Sequence, residues 1–173
     1  SSPPEGQPDN MRSRSFWDDD FNAIQSIGID ASKVREIDKI ILKHYGLAED
    51  TPLDQEFGYM VSWQCKGKQV KLHRDSNLKG KLNVRFNLIL QKPKKGGLPW
   101  YGGKNIVNVK ENEVYLLMAG LHKHGTTKIE GDRDRIMLSI GHWVDEEICK
   151  EKGWMNKKCK GVEEGGMWNR SSD

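Results

Sequence analysis

The pattern of apolar and polar positions divides the chain near residue 50 into a helical part and a longer β part. In the segment DASKVREIDKIILKHYGL, one stripe of a helix carries the apolar side chains Val34, Ile37, Ile41 and Tyr45. Asp30 is suited to cap this helix, and Gly46 is suited to end it. The segment FWDDDFNAIQSIG predicts a shorter preceding helix, because acidic residues in a first turn suit the helix dipole.

From residue 57 onward the apolar positions alternate with a period of two, which is typical of strands. Strands are predicted in FGYMVSWQC, QVKLHRD, LNVRFNLILQ, NIVNVK, EVYLLMAG, GTTKI and DRIMLSIGHWV. The segments between them, such as SNLKG and KPKKGGLP, have the composition of turns. Short strands at regular spacing, with no helix among them, indicate an antiparallel sandwich or barrel. The predicted fold is mainly β, with the N-terminal helices packed on its outside.

The length of 173 residues suits a single domain. Residues 1–15 are rich in Ser and Pro and predict a flexible leader. The domain is expected to span residues 16–145, with helices in 16–46 and the β core in 57–144, followed by a polar C-terminal extension over 146–173. The mean hydropathy is −0.77 and no apolar run approaches the length of a membrane span, so no membrane association is expected.

Cysteine usage indicates the cellular setting. The chain has three cysteines, Cys65, Cys149 and Cys159, and their odd count and irregular spacing argue against a disulfide framework. We therefore expect an intracellular, cytoplasmic protein. A zinc site formed by the last two cysteines with His142 is disfavoured, because the sequence lacks CxxC or HxxxH spacing there.

Basic residues are concentrated in the middle of the chain. Between Lys66 and Lys110 the chain has twelve Lys or Arg residues and one acidic residue, Asp75, although the net charge of the whole chain is only +3. Basic runs are usually solvated surfaces, but this one surrounds the candidate site and favours an anionic partner or substrate.

The candidate chemistry begins with the segment VKLHRDSN. In a strand, His73 and Asp75 point to the same side because side chains alternate between the two faces. The pair then supplies two of the three ligands of a 2-His-1-carboxylate site for Fe(II). The alternative is a hydrogen-bonded pair or two exposed polar residues. A third ligand from another strand is available in His122 or His124.

An arginine follows each of these histidines after ten intervening residues, Arg133 after His122 and Arg135 after His124. Arg135 opens the apolar strand RIMLSI, in which Ser139 shares its face. A buried arginine requires an anion. A dicarboxylate held by this arginine and the serine hydroxyl satisfies that requirement.

The order HxD, His, ten residues, Arg resembles the motif of the Fe(II)- and 2-oxoglutarate-dependent oxygenases. WQCKGKQVKLHRDS resembles the aromatic–Gly–HxD run of that family, in which an aromatic at the position of Trp63 lines the cosubstrate pocket. NVRFNLILQKPKKGG and HGTTKIEGDRDRIMLS resemble segments of the prolyl-hydroxylase-like branch. The resemblance covers residues 57–143. Within the family it favours His124 over His122 and Arg135 over Arg133.

The resemblance implies a double-stranded β-helix, a jelly-roll barrel also found in cupins, and it makes residues 16–145 a single oxygenase domain. His73, Asp75 and His124 would bind Fe(II), and Arg135 with Ser139 would hold 2-oxoglutarate. The implied reaction is hydroxylation of a C–H bond by O2, coupled to decarboxylation of 2-oxoglutarate to succinate, with ascorbate as reductant.

Of the implied function, the substrate is the component that the sequence determines least. The prolyl-hydroxylase-like segments make a peptide or protein residue the first choice. A nucleic acid or a small anionic metabolite is the alternative, although the nucleic-acid demethylase branch carries a second arginine at the position of Gly141. A non-catalytic cupin-like binding module is a third interpretation.

Strand LNVRFNLILQ adds two pocket candidates. Its apolar residues should face the outer helices, which turns Arg85 and Asn87 toward the site, where they would contact 2-oxoglutarate or an anionic substrate. The alternative is that this polar face is solvated.

Overall fold

The computed structural model describes residues 12–16, 31–55, 57–101, 105–106, 108–155, 158–159, 167–168 and 170–171. Up to residue 106 the elements are β1 (Arg12–Phe16), α1 (Ala31–His44), β2 (Tyr59–Gln64), β3 (Lys81–Gln91), β4 (Pro99–Tyr101) and β5 (Asn105–Ile106). They continue with β6 (Val114–Leu117), β7 (His124–Thr126), β8 (Arg135–Asp145), α2 (Glu146–Glu151), β9 (Lys158–Cys159), β10 (Met167–Trp168) and β11 (Arg170–Ser171).

The larger sheet has the order β1-β2-β8-β3-β6-β10. At its centre the long strands β3 and β8 run antiparallel, and their register places Arg85 opposite Gly141 and Asn87 opposite Ser139. Side chains alternate between the two faces of a strand. The polar residues of β3 therefore share one face, and Val84 and Phe86 occupy the other.

The smaller sheet has the order β5-β4-β7 and covers the polar face of the larger one. Buried side chains from both sheets form a common cluster of Ile89, Tyr101, Val109, Tyr115, Leu117, Ala119 and Met137. The two sheets face each other, are antiparallel except for the pair of β6 and β10, and enclose an interior, as in a double-stranded β-helix, so the predicted fold class is confirmed.

Helix α1 packs against the outer face of the larger sheet, as its apolar stripe predicts. Val34, Ile41 and Tyr45 are buried in one cluster with Val84 and Phe86, and the ring of Tyr45 lies 4.9 Å from that of Phe86. Gly46 follows the helix with a φ of 68°, a left-handed conformation that glycine adopts without strain.

A buried hydrogen-bond network also joins α1 to the sheet. The Tyr59 hydroxyl donates to Asp38 Oδ2 at 2.6 Å, and His142 Nε2 lies 2.7 Å from Asp38 Oδ1. The other ring nitrogen of His142 lies 3.0 Å from the carbonyl oxygen of Thr51. His142 is thus a structural contact between helix, loop and barrel, on the face opposite the candidate site.

The N-terminal part differs from the expectation. Residues 12–15, assigned to the flexible leader, belong to β1, which pairs with β2 from Arg12 opposite Trp63 to Phe16 opposite Tyr59. Local composition suggested mobility, whereas pairing with a distant strand gives these residues a regular backbone. The rest of the leader and the helix predicted after Phe16 lie outside the described residues.

Two segments of the β core also differ from the expectation. Residues 69–75, predicted as a strand, are extended but contribute only a single bridge, between His73 and His124. Strand β4 was not predicted, because its residues follow the Gly-Gly turn and begin with a proline. Beyond the barrel, α2 starts the C-terminal extension and Trp154 is buried.

No helix among the described residues is long and apolar enough to cross a membrane.

Candidate metal centre

Three ligand side chains from two parts of the chain meet at one end of the barrel. His73 and His124 lie opposite each other, and each backbone N–H donates to the carbonyl oxygen of the other, at 3.0 and 2.8 Å. The backbone N–H of Asp75 donates to Ala119 at 2.9 Å. One nitrogen from each histidine and one carboxylate oxygen then lie within 4.8 Å of one another.

Backbone carbonyls fix the orientation of both imidazoles. Nδ1 of His73 lies 2.8 Å from the carbonyl oxygen of Lys71, and Nδ1 of His124 lies 2.9 Å from that of His122. A carbonyl only accepts, so each Nδ1 carries the proton. In the neutral ring Nε2 then has a free lone pair, which is the form that binds metals.

Both Nε2 atoms are directed at the carboxylate of Asp75. His73 Nε2 lies 3.3 Å from Asp75 Oδ1, and His124 Nε2 lies 3.8 Å from the same oxygen. A protonated His73 donates from Nε2 to this carboxylate, whereas a ring with a bare Nε2 lone pair facing the carboxylate oxygen is repelled by it. A divalent metal bound by two imidazole nitrogens and one carboxylate removes this conflict, and Fe(II) accepts that donor set.

The surroundings shift the pKa values of the two histidines in opposite directions. Burial lowers the pKa of His124 to about 4, so this ring is neutral at pH 7. The hydrogen bond with Asp75 raises the pKa of His73, whose side chain is 47% exposed. Burial alone would raise the pKa of Asp75, but the hydrogen bond from His73 and nearby positive charge lower it overall. The carboxylate is therefore ionised and available to a metal.

The three ligands stand at the wall of a cavity of about 410 Å³ between the two sheets. Its polar lining includes Ser62, Asn83, Arg85, Asn87, Arg135 and Ser139. Its apolar lining includes Phe57, Met60, Trp100, Tyr101, Leu117 and Trp143. A cavity of this size accommodates a small organic cosubstrate beside a metal.

Arg135 lies in this cavity and is 1% exposed. Its guanidinium donates to the carbonyl oxygen of Gly97 at 3.1 Å, to Gln64 Oε1 at 3.4 Å and to the sulfur of Met137 at 3.2 Å. These partners are all uncharged. Burial lowers the pKa of the guanidinium, and a hydrogen bond with Tyr115 raises it by a smaller amount. A ligand carboxylate at this position would stabilise the charged form.

The charge of Arg85 acts on the pKa values of all three candidate metal ligands. Its Nε donates to the hydroxyl of Ser139 at 2.7 Å, and its Nη1 lies 3.5 Å from Asp54 Oδ2. Ser139, expected to assist Arg135, is thus bonded to Arg85. A Cβ at Gly141 would lie 2.4 Å from Arg85 Nη1, so the glycine makes room for this guanidinium.

Trp63 is placed differently from the expectation. On β2 the cavity is lined by Met60 and Ser62, and alternation directs Trp63 to the other face. Its indole N–H donates to Asp134 Oδ2 at 3.0 Å, outside the cavity lining. Trp63 was predicted to line the pocket from the family resemblance. On the actual face of β2, the adjacent residue Ser62 lines the cavity instead.

His122 is not part of the ligand group. Its ring lies 5.6 Å from that of Tyr101, and its carbonyl oxygen contacts the ring of His124. Arg133 ion-pairs with Glu111 away from the cavity.

Sequence reasoning missed two polar residues of the site. Asp54 contacts Arg85, and it comes from a loop with no periodic pattern. Gln64 contacts Arg135 at the end of β2. Gln64 lies two residues after Ser62, so the alternation of side chains along a strand places both on the face of β2 that is turned to the cavity.

The chain matches no protein-family model, and no curated protein is significantly similar to it in sequence. Among solved structures it resembles a viral collagen prolyl hydroxylase from Paramecium bursaria Chlorella virus-1, solved as a 2OG complex, with a TM-score of 0.51 and 14% identity. That match covers 79% of this chain and 81% of the other. At this identity it supports the fold.

Weaker matches are cupins. The cupin domain of Schizosaccharomyces pombe Cnp3 gives a TM-score of 0.39 at 14% identity, over 60% of this chain and 68% of the other. An RmlC-like cupin protein from Desulfovibrio desulfuricans gives 0.34 at 13% identity, over 52% and 79%.

Proposed function

We propose that this protein is an Fe(II)- and 2-oxoglutarate-dependent dioxygenase that hydroxylates a C–H bond of a peptide or protein residue. The observation that carries the proposal is the convergence of His73, Asp75 and His124, with ligand atoms within 4.8 Å of one another. Both imidazoles hold a proton on Nδ1 and direct Nε2 inward. This is the form that a 2-His-1-carboxylate iron site requires.

Fe(II), bound together with 2-oxoglutarate and O2, supplies the oxidation of an unactivated C–H bond, coupled to decarboxylation of 2-oxoglutarate to succinate. The chain contributes position and charge. His73, Asp75 and His124 would hold the metal through two imidazole nitrogens and one carboxylate oxygen. Ascorbate serves as the reductant that keeps the iron in the ferrous state.

Arg135 is the proposed anchor for the far carboxylate of 2-oxoglutarate. It is fully buried, lines the cavity and contacts a carbonyl, an amide, a thioether and the phenol of Tyr115. Since a buried cation is costly without a counter-charge, a dicarboxylate bridging the metal and this arginine would lower the energy of the site.

Arg85, Asn87 and Ser139 form the proposed wall beside the cosubstrate. Ser139 orients Arg85 through the 2.7 Å hydrogen bond from Nε. Asn87 lies opposite Ser139 in the register of β3 and β8 and lines the same cavity. This wall places polar side chains in the cavity that the metal ligands line, where the cosubstrate would bind.

One observation favours an anionic substrate as the alternative. Lys71, Arg74 and Lys79 are exposed on either side of the metal ligands. Their charge would attract a nucleic acid or a small anionic metabolite. Mass spectrometry for +16 products after incubation with lysate peptides, nucleic acids and metabolites separates these substrate classes.

The proposal is tested by 2-oxoglutarate turnover. With Fe(II), ascorbate and candidate substrates, the wild-type protein should form succinate above background, and Asp75→Ala should abolish it. A His122→Ala variant is the matched control and should retain turnover. A protein that neither takes up metal nor decarboxylates 2-oxoglutarate would instead be a cupin-like binding module.

A further inference from the structure

A second polar cluster lines the cavity on β3 and the loop before β2. Asp54, Asn83 and Arg85 are all buried there. Asn83 Nδ2 donates to Asp54 Oδ2 at 3.3 Å, and Arg85 Nη1 lies 3.5 Å from the same oxygen. The proposed metal and cosubstrate sites do not use Asp54 or Asn83.

The amide of Asn83 has a defined orientation. Because the carboxylate of Asp54 only accepts hydrogen bonds, the amide nitrogen must face it and Oδ1 must point the other way. The backbone of Asn83 is fixed as well, since its N–H donates to Asn77 Oδ1 at 2.9 Å. Asn83 Oδ1 is buried and has no hydrogen-bond partner among the described residues.

A buried acceptor without a partner is costly, and native proteins usually satisfy such atoms with a donor. Asn83 lines the cavity, so a molecule bound there can supply that donor. The cosubstrate cannot, because 2-oxoglutarate presents only carboxylate and keto oxygens, which accept. Within the cavity the donor is then a water molecule or a second ligand, and a ligand that displaces such a water must bring a donor of its own.

The charges around Asn83 restrict what that ligand is. Asp54 neutralises Arg85, and Asp75 lies on the same cavity wall. A phosphate would face the carboxylate of Asp75 while Arg85 is already paired, whereas a neutral N–H group can donate to Asn83 Oδ1. The aromatic side chains of Phe57 and Trp143 also line the cavity, and Phe57 is 46% exposed. Apolar walls with a buried acceptor suit a peptide amide.

We infer that Asn83 is a substrate-recognition residue that accepts a hydrogen bond from an amide N–H of a peptide, with Asp54 holding its side chain in place. Its role in catalysis rests on the proposed oxygenase function, but its binding role does not. Peptides whose amides carry no hydrogen should therefore be discriminated against at this subsite.

The test uses two small probes on the full chain without metal or cosubstrate. N-acetylglycine N-methylamide carries amide N–H groups, and N-acetylsarcosine N,N-dimethylamide carries none. Nuclear magnetic resonance titrations follow the side-chain amide of Asn83 and the indole of Trp143. The first probe should shift both signals and bind about tenfold more tightly than the second, the usual effect of one hydrogen bond.

Two variants complete the test. Asn83→Leu keeps the volume but removes the acceptor, and should abolish the preference between probes. Asn83→Ala also removes the acceptor with a smaller side chain and should likewise lose the preference, which covers the case in which Asn83→Leu does not fold. Equal binding of both probes to the wild-type protein, or no binding up to their solubility limits, would overturn the inference.

These outcomes are independent of turnover. Failure of the proposed function would appear as absence of metal-dependent succinate formation, with the probe preference intact. Failure of the inference would appear as loss of the probe preference in a protein that still decarboxylates 2-oxoglutarate.

Discussion

His73 and His124 form a hydrogen-bonded antiparallel pair, in which each backbone N–H donates to the other's carbonyl. Residues paired in this way carry their side chains on the same face. Their imidazole rings are therefore neighbours, with centroids 4.4 Å apart. The backbone thus brings two distant parts of the chain into one cluster of candidate ligands.

Removal of one ligand should abolish specific metal binding. Asp75→Ala and His124→Ala should each weaken Fe(II) or Mn(II) binding by about 100-fold or more, since loss even of a residue that orients a ligand costs 10- to 100-fold. Anaerobic titration calorimetry measures the affinity. His122→Ala should bind like the wild type. An equal loss of metal affinity in His122→Ala would contradict the assignment of His124, rather than His122, as the metal ligand.

The 2-oxoglutarate requirement should depend on Arg135. Arg135→Ala should raise the apparent KM for 2-oxoglutarate by roughly 10- to 100-fold, the range expected for loss of a charged hydrogen bond. Steady-state succinate formation measures it, with thermal unfolding as a check on folding. Arg133→Ala is the control, because Arg133 pairs with Glu111 outside the cavity. Similar effects of the two variants would contradict this assignment.

Gly141 and Arg85 should be energetically coupled. A Cβ at Gly141 would lie 2.4 Å from Nη1 and 2.8 Å from Cζ of Arg85. Gly141→Ala should therefore lower the free energy of unfolding by about 1–3 kcal/mol. In an Arg85→Ala background the same change should cost much less, because the clashing group is gone. Urea unfolding of all four proteins measures this coupling, and additive effects would contradict it.

Tyr59 should stabilise the attachment of α1. Tyr59→Phe removes the 2.6 Å hydrogen bond to Asp38 and should lower the free energy of unfolding by about 1.5–3 kcal/mol, as for hydrogen bonds to charged groups. Urea unfolding measures the change. Thr51→Val removes the exposed bond from Thr51 to Ala48, and should cost within about 0.5 kcal/mol. A Tyr59→Phe effect no larger than this control would mean that the buried bond adds little.

Cys149 should give the stability a specific pH dependence. Burial, with the nearby charges of Asp145 and Glu146, raises the pKa of its thiol from 9.0 to about 12. Between these values the unfolded chain loses the proton and the folded chain keeps it, so stability falls as pH rises through this window.

Urea unfolding on either side of pH 9.0 measures this dependence. Cys149→Ala should lose the part of the decline that belongs to the thiol, and Cys65→Ala should retain it. An unchanged slope in Cys149→Ala would show that other groups account for the decline.

Periodicity predicted the helix and the main strands because burial imposes it directly. The stripe of Val34, Ile41 and Tyr45 and the alternation in β3 both arise from one side of an element facing apolar surroundings. The full set of candidate ligands was predicted from the resemblance of their order and spacing to the motif of an oxygenase family.

Contacts between strands were less accessible to sequence reasoning. Ser139 was assigned to Arg135 by their shared strand face, but β3 brings Arg85 closer to its hydroxyl. Trp63 was assigned by spacing, which does not determine which face of β2 is turned inward. Residues 12–15 were assigned by composition, which does not report their pairing with β2. These three placements depend on how neighbouring strands are aligned with each other, which the sequence of a single strand does not specify.

The hydrogen bonds that orient the two imidazoles end on main-chain oxygens of Lys71 and His122. The side chains of Lys71 and His122 therefore do not determine which nitrogen of the two imidazoles carries the proton. Position 71 is exposed, so a spectroscopic reporter attached there would sit next to the centre without altering its donor atoms. A label at position 71 would therefore allow metal binding and substrate binding to be followed in real time.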